Sequence, residues 1–280
     1  MNERIKGYFK LLVRLNYLKT LYFNFKMLPL KDACKFPFLF FGKVEFGTLT
    51  GSIVISSSIK TGMFRWGVMI DGFTSSKVSS HFSLGRKARL EINGRVDVGC
   101  GVVFRILGDL TLKKRRYSVP FGSGVVFRIL GDLTLLNNSF IGSRTVVACS
   151  HKIFLGEFVR VAFGNVLMDT NHHYIVHDGC VHRKEGSIII GNRCWIGNNS
   201  HISKGCVLPS NTIVAARSFV AKDYRECGEY CLLVGSPAKM KQTDVRRLYD
   251  LKLEQAIQNY FDLHENEETY CLSNDEIGII

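Results

Sequence analysis

Between residues 190 and 220 an aliphatic residue returns at every sixth place, at Ile190, Ile196, Ile202, Leu208, Val214 and Val220. Six residues at about 100° each would scatter these side chains over several faces of a helix. A strand alternates with period two and accommodates a spacing of six. One flat strand across the whole stretch would far exceed the usual ~3–10 residues, so the chain must turn at regular intervals. Four places after each aliphatic stand Cys194, Ser200, Cys206, Thr212, Ser218 and Tyr224, all but the last small. One place after it stand Gly191, Gly197, Ser203, Pro209, Ala215 and Ala221. One bulky and one small inward position in every six predict a short strand, a corner and another short strand. Three such sides close a coil of about 18 residues, and coils stack as a solenoid.

The same register shows at Val98, Phe104 and Leu110 and again at Leu135, Ile141 and Val147. A slip of two at IFLG carries it to Leu155, Val161 and Leu167. Residues 168–187, MDTNHHYIVHDGCVHRKEGS, are too polar and too rich in His to be a coil, and CGEYCLLVGSPAK closes the solenoid. The expected organisation is a cap over 1–45, a solenoid over 46–240 carrying the 168–187 loop, and a C-terminal segment over 241–280. In that last segment VRRLYDLKLEQAIQNYFDLH reads as a helix with Val245, Leu248, Leu251 and Leu253 apolar, followed by an acidic tail. In the cap, YFKLLVRLNYLKTLYFNF reads as an amphipathic helix with Leu11, Tyr17, Leu18 and Leu21 near one side. Such a helix covers the apolar end and open strand edges of a solenoid; the alternative is that it lies on a membrane surface.

GVVFRILGDLTL occurs twice unchanged, at 101–112 and 124–135. The offset of 23 is one coil plus about five looped-out residues, an insertion that a fold of nearest-neighbour contacts tolerates. Lys113, Lys114, Arg115 and Arg116 stand between the copies. Identity over twelve residues favours a genetic duplication over a functional basic loop.

Composition adds boundaries. With 46% hydrophobic and 22% charged residues in 280, the chain is globular rather than disordered. No run of 18 or more apolar residues predicts a transmembrane helix. Lys10, Arg14 and Lys19 interrupt the N-terminal apolar patches and no small-residue cleavage site follows, against a signal peptide. The nine scattered cysteines suggest free thiols in a reducing cytoplasm. The net charge of +13 is uneven: residues 1–240 carry an excess of eighteen positive charges and 241–280 an excess of five negative ones. A basic body suits a phosphorylated cofactor, an acidic glycan or a membrane surface. Nucleic acid is not expected, because the basic residues are not interleaved with aromatics on one face.

The wall of a solenoid offers no deep pocket, so chemistry belongs to the departing loop or to a cleft between subunits. The loop gathers Asp169, Asn171, His172, His173, His177, Asp178, His182 and Glu185. LMDTNHHYI is similar to the loop that carries the catalytic histidine in maltose, galactoside and capsular-polysaccharide O-acetyltransferases. IIIGNRCWIGNN carries their Trp-Ile-Gly at Trp195, Ile196 and Gly197, and VAARSFVAKD and LVGSPAK resemble the end of their repeat. The likeness covers about residues 90–240 and extends more weakly to KTLYFNFK.

This resemblance to the hexapeptide-repeat acyltransferases implies an all-β solenoid, a left-handed parallel β-helix of triangular section, with a short N-terminal cap and a C-terminal α-helix. It implies acetyl-CoA as co-substrate, with no metal, and a saccharide acceptor of capsule or surface-glycan biosynthesis. It also implies a cytoplasmic homotrimer, peripheral to the inner face of the membrane if residues 1–45 touch it. The catalytic role falls on His173, with Asp169 or Glu185 as the acid that orients it; Asn171 stands where those loops usually have a second aspartate. Asn171, His172 and Trp195 are the expected acceptor contacts. Gly197, Ala215, Ala216, Ser218, Lys222, Pro237 and Lys239 are the expected cofactor contacts, and Ser236 replaces a usual asparagine. Two rival readings remain: a zinc enzyme resembling gamma-class carbonic anhydrases, drawing on His151, His172 and His177, and a non-catalytic scaffold.

Overall fold

The computed structural model describes residues 15–42, 44–50 and 121–273 throughout, together with Val13 and, from 52 to 120, strand segments only. Leu11 and the basic residues 114–116 lie outside the described residues. The described strands form three long sheets of ten, eight and seven strands, and each coil contributes one strand to each sheet in turn. Pairing within the sheets is parallel except for the last pair, Leu232–Gly235 with Ala238–Gln242. The architecture is therefore a three-faced parallel solenoid.

The inward aliphatics stack as the repeat predicts: Ile190, Ile196, Ile202, Val214 and Val220 are fully buried, and Leu208 nearly so. The small residues four places on also point inward. Cys194, Cys206, Ser200, Thr212 and Ser218 are all buried, and the hydroxyls satisfy nearby backbone, as when Thr212 Oγ1 donates to Pro209 O at 2.8 Å and Ser200 Oγ to Ala215 O at 3.1 Å. Buried polar atoms need such partners. The corner sits at the third place after Ile190, Ile196, Leu208 and Val214. Arg193, Asn199, Asn211 and Arg217 all have φ between 55° and 61° there, the left-handed region that turns the chain sharply.

Coil length varies along the stack. Trp195 pairs with Ile213, eighteen residues on. Phe127 pairs with Val147 and Val147 with Leu167, twenty on. The extra two residues lengthen the sides over 126–135 and 146–155, where Phe127, Ile129, Leu133 and Leu135 all point inward; the slip seen at IFLG is this longer side. The duplicated segments lie directly on one another, with Phe104 paired to Phe127 and Asp109 to Asp132. The Phe104 and Phe127 rings stack at 4.9 Å with 6° between planes. The two copies thus lie one coil apart, each supplying two of the three sides of its coil.

The first strand, Phe38–Gly42, begins inside the segment expected as cap. Helix α1 (Tyr17–Met27) crosses the end of the stack, but not with the expected side inward. Tyr17, Leu18 and Leu21 are exposed, while Thr20, Phe23 and Asn24 are buried. The reason is the open edge of the first strand, whose backbone groups need partners. Asn24 Nδ2 donates to Phe38 O at 2.7 Å, Asn24 Oδ1 accepts from Phe38 N at 3.1 Å, and Thr20 Oγ1 accepts from Phe40 N at 3.1 Å. At the other end Tyr224, 1% exposed, donates its hydroxyl to Ala238 O at 2.9 Å.

The C-terminal helix α2 (Leu251–Leu263) is shorter than the expected 245–264. Asp250 ends the extended run and caps the helix, accepting from Lys252 N and Leu253 N at 2.9 and 2.8 Å. Upstream, Val245 N is bonded to Tyr230 O and the Tyr249 hydroxyl to Arg193 O, so the chain lies along the solenoid first.

Among the described residues all cysteines are free thiols. Burial pushes the Cys194 thiol up to about 12 and raises Cys149 and Cys206 as well. In native protein a thiol reagent such as DTNB should therefore label the exposed Cys34, Cys180 and Cys271 and spare Cys149, Cys194 and Cys206 until denaturant is added. Peptide mass mapping before and after unfolding checks this; rapid native labelling of Cys194 would contradict the inward assignment.

Candidate active site

The loop leaves the second sheet after the strand Val166–Met168 and re-enters the third at Ile188–Ile190. Its first residue anchors it. Asp169 is fully buried, and its carboxylate accepts from three successive backbone groups of the preceding coil. Oδ1 takes Ser150 N at 2.7 Å, and Oδ2 takes His151 N and Lys152 N, each at 2.8 Å. The neck then zips antiparallel: Gly186 N donates to Asp169 O and Asn171 N to Lys184 O, both at 2.9 Å, with Thr170 opposite Glu185. Beyond it, Ile175–His177 pairs with Cys180–His182 across an Asp178–Gly179 turn, both turn residues having positive φ.

His172 and His173 stand at the junction of neck and hairpin. His172 has φ 61° and its N–H is bonded to Thr170 Oγ1 at 3.0 Å. His173 N–H closes a tight turn on Asn171 O at 2.7 Å. The backbone here is thus fixed on both sides of the histidine pair, while Asn171, His172 and His173 are exposed. Neither acid weighed as the orienting partner of His173 is turned to it. Asp169 is bonded to three backbone N–H groups, and Glu185 lies 3.8 Å from Lys184 Nζ. Asp169 thus acts as a positioning group for the loop.

Trp195 lies on another face. Its strand belongs to the first sheet, between Arg160 and Ile213. The C-terminal segment packs beside it, with the Arg247 guanidinium 5.6 Å from the Trp195 ring centroid and 4.9 Å from that of Tyr249, and leaves Trp195 40% exposed. A cleft of about 700 Å³ opens beside them, lined by Asn138, Phe158, Arg160, Arg247 and Tyr249 among others. Arg160 is half-buried and donates to Asn138 O. Burial, and then the nearby Arg247 charge, pull its guanidinium below the ordinary value. Two guanidiniums beside aromatic rings favour an anionic ligand. Sequence reasoning missed this cleft, because VRRLYD was read as part of the helix rather than as a strap across the first sheet.

The expected cofactor contacts divide. Gly197 is required by stacking, since a Cβ there would come within 2.6 Å of Ala216 N. Ser218 is buried and its Oγ accepts from Gly235 N at 3.1 Å. Ala215 is half-buried and Ala216, Lys222, Pro237 and Lys239 are exposed. Lys222 lies 3.8 Å from Glu226. As for the zinc reading, no three His, Cys, Asp or Glu among the described residues gather as a metal ion would require.

One further histidine is unusual. His201 sits on the second sheet between Val166 and Phe219, its ring 5.4 Å from that of Phe219. Its Nε2 is buried with no partner, and burial holds its imidazole below the ordinary value.

Two outcomes follow. Asp169→Ala strands three backbone donors, each bond to a charged acceptor being worth about 1.5–3 kcal/mol; cleavage by trypsin at Arg183 and Lys184 should accelerate at least several-fold, and unchanged digestion would remove its role as anchor. His201 is neutral in both folded and unfolded chains above about pH 7. As pH falls through the ordinary imidazole value, the unfolded chain binds a proton that the folded chain resists, so stability falls with acidification. Urea midpoints measured from about pH 7.5 to 5.5 should drop less steeply in His201→Gln than in the unsubstituted protein.

No protein-family model matches the chain, and no curated protein matches it. Among solved structures, the polySia-specific acetyltransferase NeuO is similar at 21% identity and TM-score 0.44, over 81% of this chain and 99% of that one. The polysialic acid O-acetyltransferase OatWY is similar at 18% identity and TM-score 0.38, over 78% of this chain and 100% of that one. AntD, an N-acyltransferase from Bacillus cereus in complex with dTDP and 3-hydroxybutyryl-CoA, is similar at 13% identity and TM-score 0.34, over 82% and 89%. The coil is established by this chain's own strand register rather than by these likenesses.

Proposed function

We propose that this chain is an acetyl-CoA-dependent O-acetyltransferase that acetylates a saccharide hydroxyl, with His173 as general base. The observation that carries the reading is the loop over 169–187: one polar excursion from a periodic wall, anchored by a buried carboxylate and holding an exposed imidazole on a fixed backbone. The resemblance of LMDTNHHYI and of Trp195-Ile196-Gly197 to acetyltransferase motifs supports it.

A sugar hydroxyl is a weak nucleophile until its proton is taken. Neutral His173 accepts that proton as the oxygen attacks the thioester carbonyl carbon, a contribution of about 10²–10⁴-fold. Backbone N–H groups stabilise the tetrahedral oxyanion. The C–S bond then breaks, the imidazolium returns its proton to the coenzyme A thiolate, and the acetyl ester remains on the sugar. No covalent enzyme intermediate is needed. A neighbouring copy completes the site in a trimer, for which the exposed hairpin argues: Tyr174 is 65% and Val176 66% exposed, and such side chains call for a covering surface. The arginines of the first-sheet cleft suit an acidic acceptor or the coenzyme phosphates, and the acceptor belongs to capsule or surface-glycan synthesis.

Release of free thiol from acetyl-CoA, measured against a panel of neutral and acidic oligosaccharides, tests the proposal; polysialic acid, named for two of the solved structures above, is a first acceptor to try. His173→Asn should lower turnover at least about 100-fold with an unchanged melting temperature. Near-normal turnover in that variant would sink the assignment of the base, and the absence of both thiol release and any thermal shift with acetyl-CoA would favour the scaffold reading.

A further inference from the structure

We infer that α1 docks the chain on an anionic membrane surface, with its outward apolar arc at the boundary of headgroups and acyl chains. At about 100° per residue, Tyr17, Leu18, Leu21, Tyr22 and Phe25 fall within one arc of about 140°. All five are exposed, Leu18 at 81% and Phe25 at 47%, and Leu30 in the next short helix is exposed as well. The opposite arc, Thr20, Phe23 and Asn24, is engaged by the first coil. Phe23 packs inward on the Phe38 and Phe40 rings, Thr20 and Asn24 turn to the strand edge that needs them, and the five remaining apolar side chains face outward. Lys26 lies beside the arc, its Nζ 5.5 Å from the Tyr22 ring centroid, the arrangement in which a lysine stem follows apolar surface while its ammonium reaches toward headgroups; Lys19 instead turns to the body and donates to Val44 O.

Charge selects the occupant. From Arg4 to Lys31 the sequence holds seven Lys or Arg and no Asp or Glu. Basic residues beside an apolar arc are attracted to anionic lipid, and burial of the arc and electrostatic attraction then act together. The same cations repel a second copy of this face, which argues against self-association through it. Among the described residues no helix is long and apolar enough to cross a membrane, so the contact is with the surface. This inference is independent of the acyl-transfer reading.

Sedimentation of the full chain with vesicles tests it. The protein should pellet with phosphatidylcholine vesicles that contain phosphatidylglycerol, bind pure phosphatidylcholine at least about tenfold more weakly, and lose most binding in high salt. Leu18→Asn with Leu30→Asn, the two most exposed apolar residues of this face, should cut vesicle binding at least about tenfold while the melting temperature stays unchanged. Failure of the unsubstituted chain to bind anionic vesicles, or equal binding by the double variant, overturns the proposal. A double variant that instead changes the mass of the soluble assembly also overturns it, in favour of an interface between copies.

Discussion

The backbone hydrogen bonds of this protein run along the stack of coils, so each coil is held by the ones before and after it. Two features make the stacking possible: a small residue inside each corner and a left-handed backbone at the corner itself. Gly197 shows the tolerance, since a single added carbon would meet the next coil's backbone at 2.6 Å. A structure of this kind leaves two open ends, and each is closed by borrowed chemistry. The side-chain amide of Asn24 and the hydroxyl of Thr20 stand in for a missing strand at one end. The buried Tyr224 and an antiparallel pair close the other.

Periodicity also dictates where chemistry can be placed. A wall that repeats every six residues presents much the same surface throughout, so a distinctive site needs a departure from it. The loop at 169–187 departs without cost to the coils on either side, because Asp169 binds the corner of the preceding coil and Ile188 resumes pairing with Ile153 at once. The buried carboxylate replaces strand pairing that the loop gives up. Its effect is to hold His172 and His173 on a rigid neck rather than on a wandering segment.

Much of this was legible in the chain. The six-residue spacing of Ile190 to Val220 needs no tertiary information, since it follows from one bulky inward side chain per coil side. The loop was visible because polarity interrupts that spacing. What could not be read depends on contacts distant in sequence. The helical pattern of 17–27 suggested that its apolar arc packs inward, whereas the open edge of the first strand required Thr20 and Asn24 there. Asp169 looked like a partner for a nearby histidine, but the backbone of 150–152, a coil earlier, claims it. Arg247 gave no signal as a neighbour of Trp195, because a strap across a sheet has no period of its own.

The doubled GVVFRILGDLTL has a geometric result. The repeated strands lie between the first strand and the loop in the order of the eight- and seven-stranded sheets. Each coil occupies about 4.8 Å along the axis. Copying one therefore lengthens the rod by a single rung and lifts the histidine neck that much farther from the capped end, with no residue of the neck changed. Duplication or deletion of coils in this stretch is a ruler by which height above the base can be set in discrete steps, separately from whatever happens at the top.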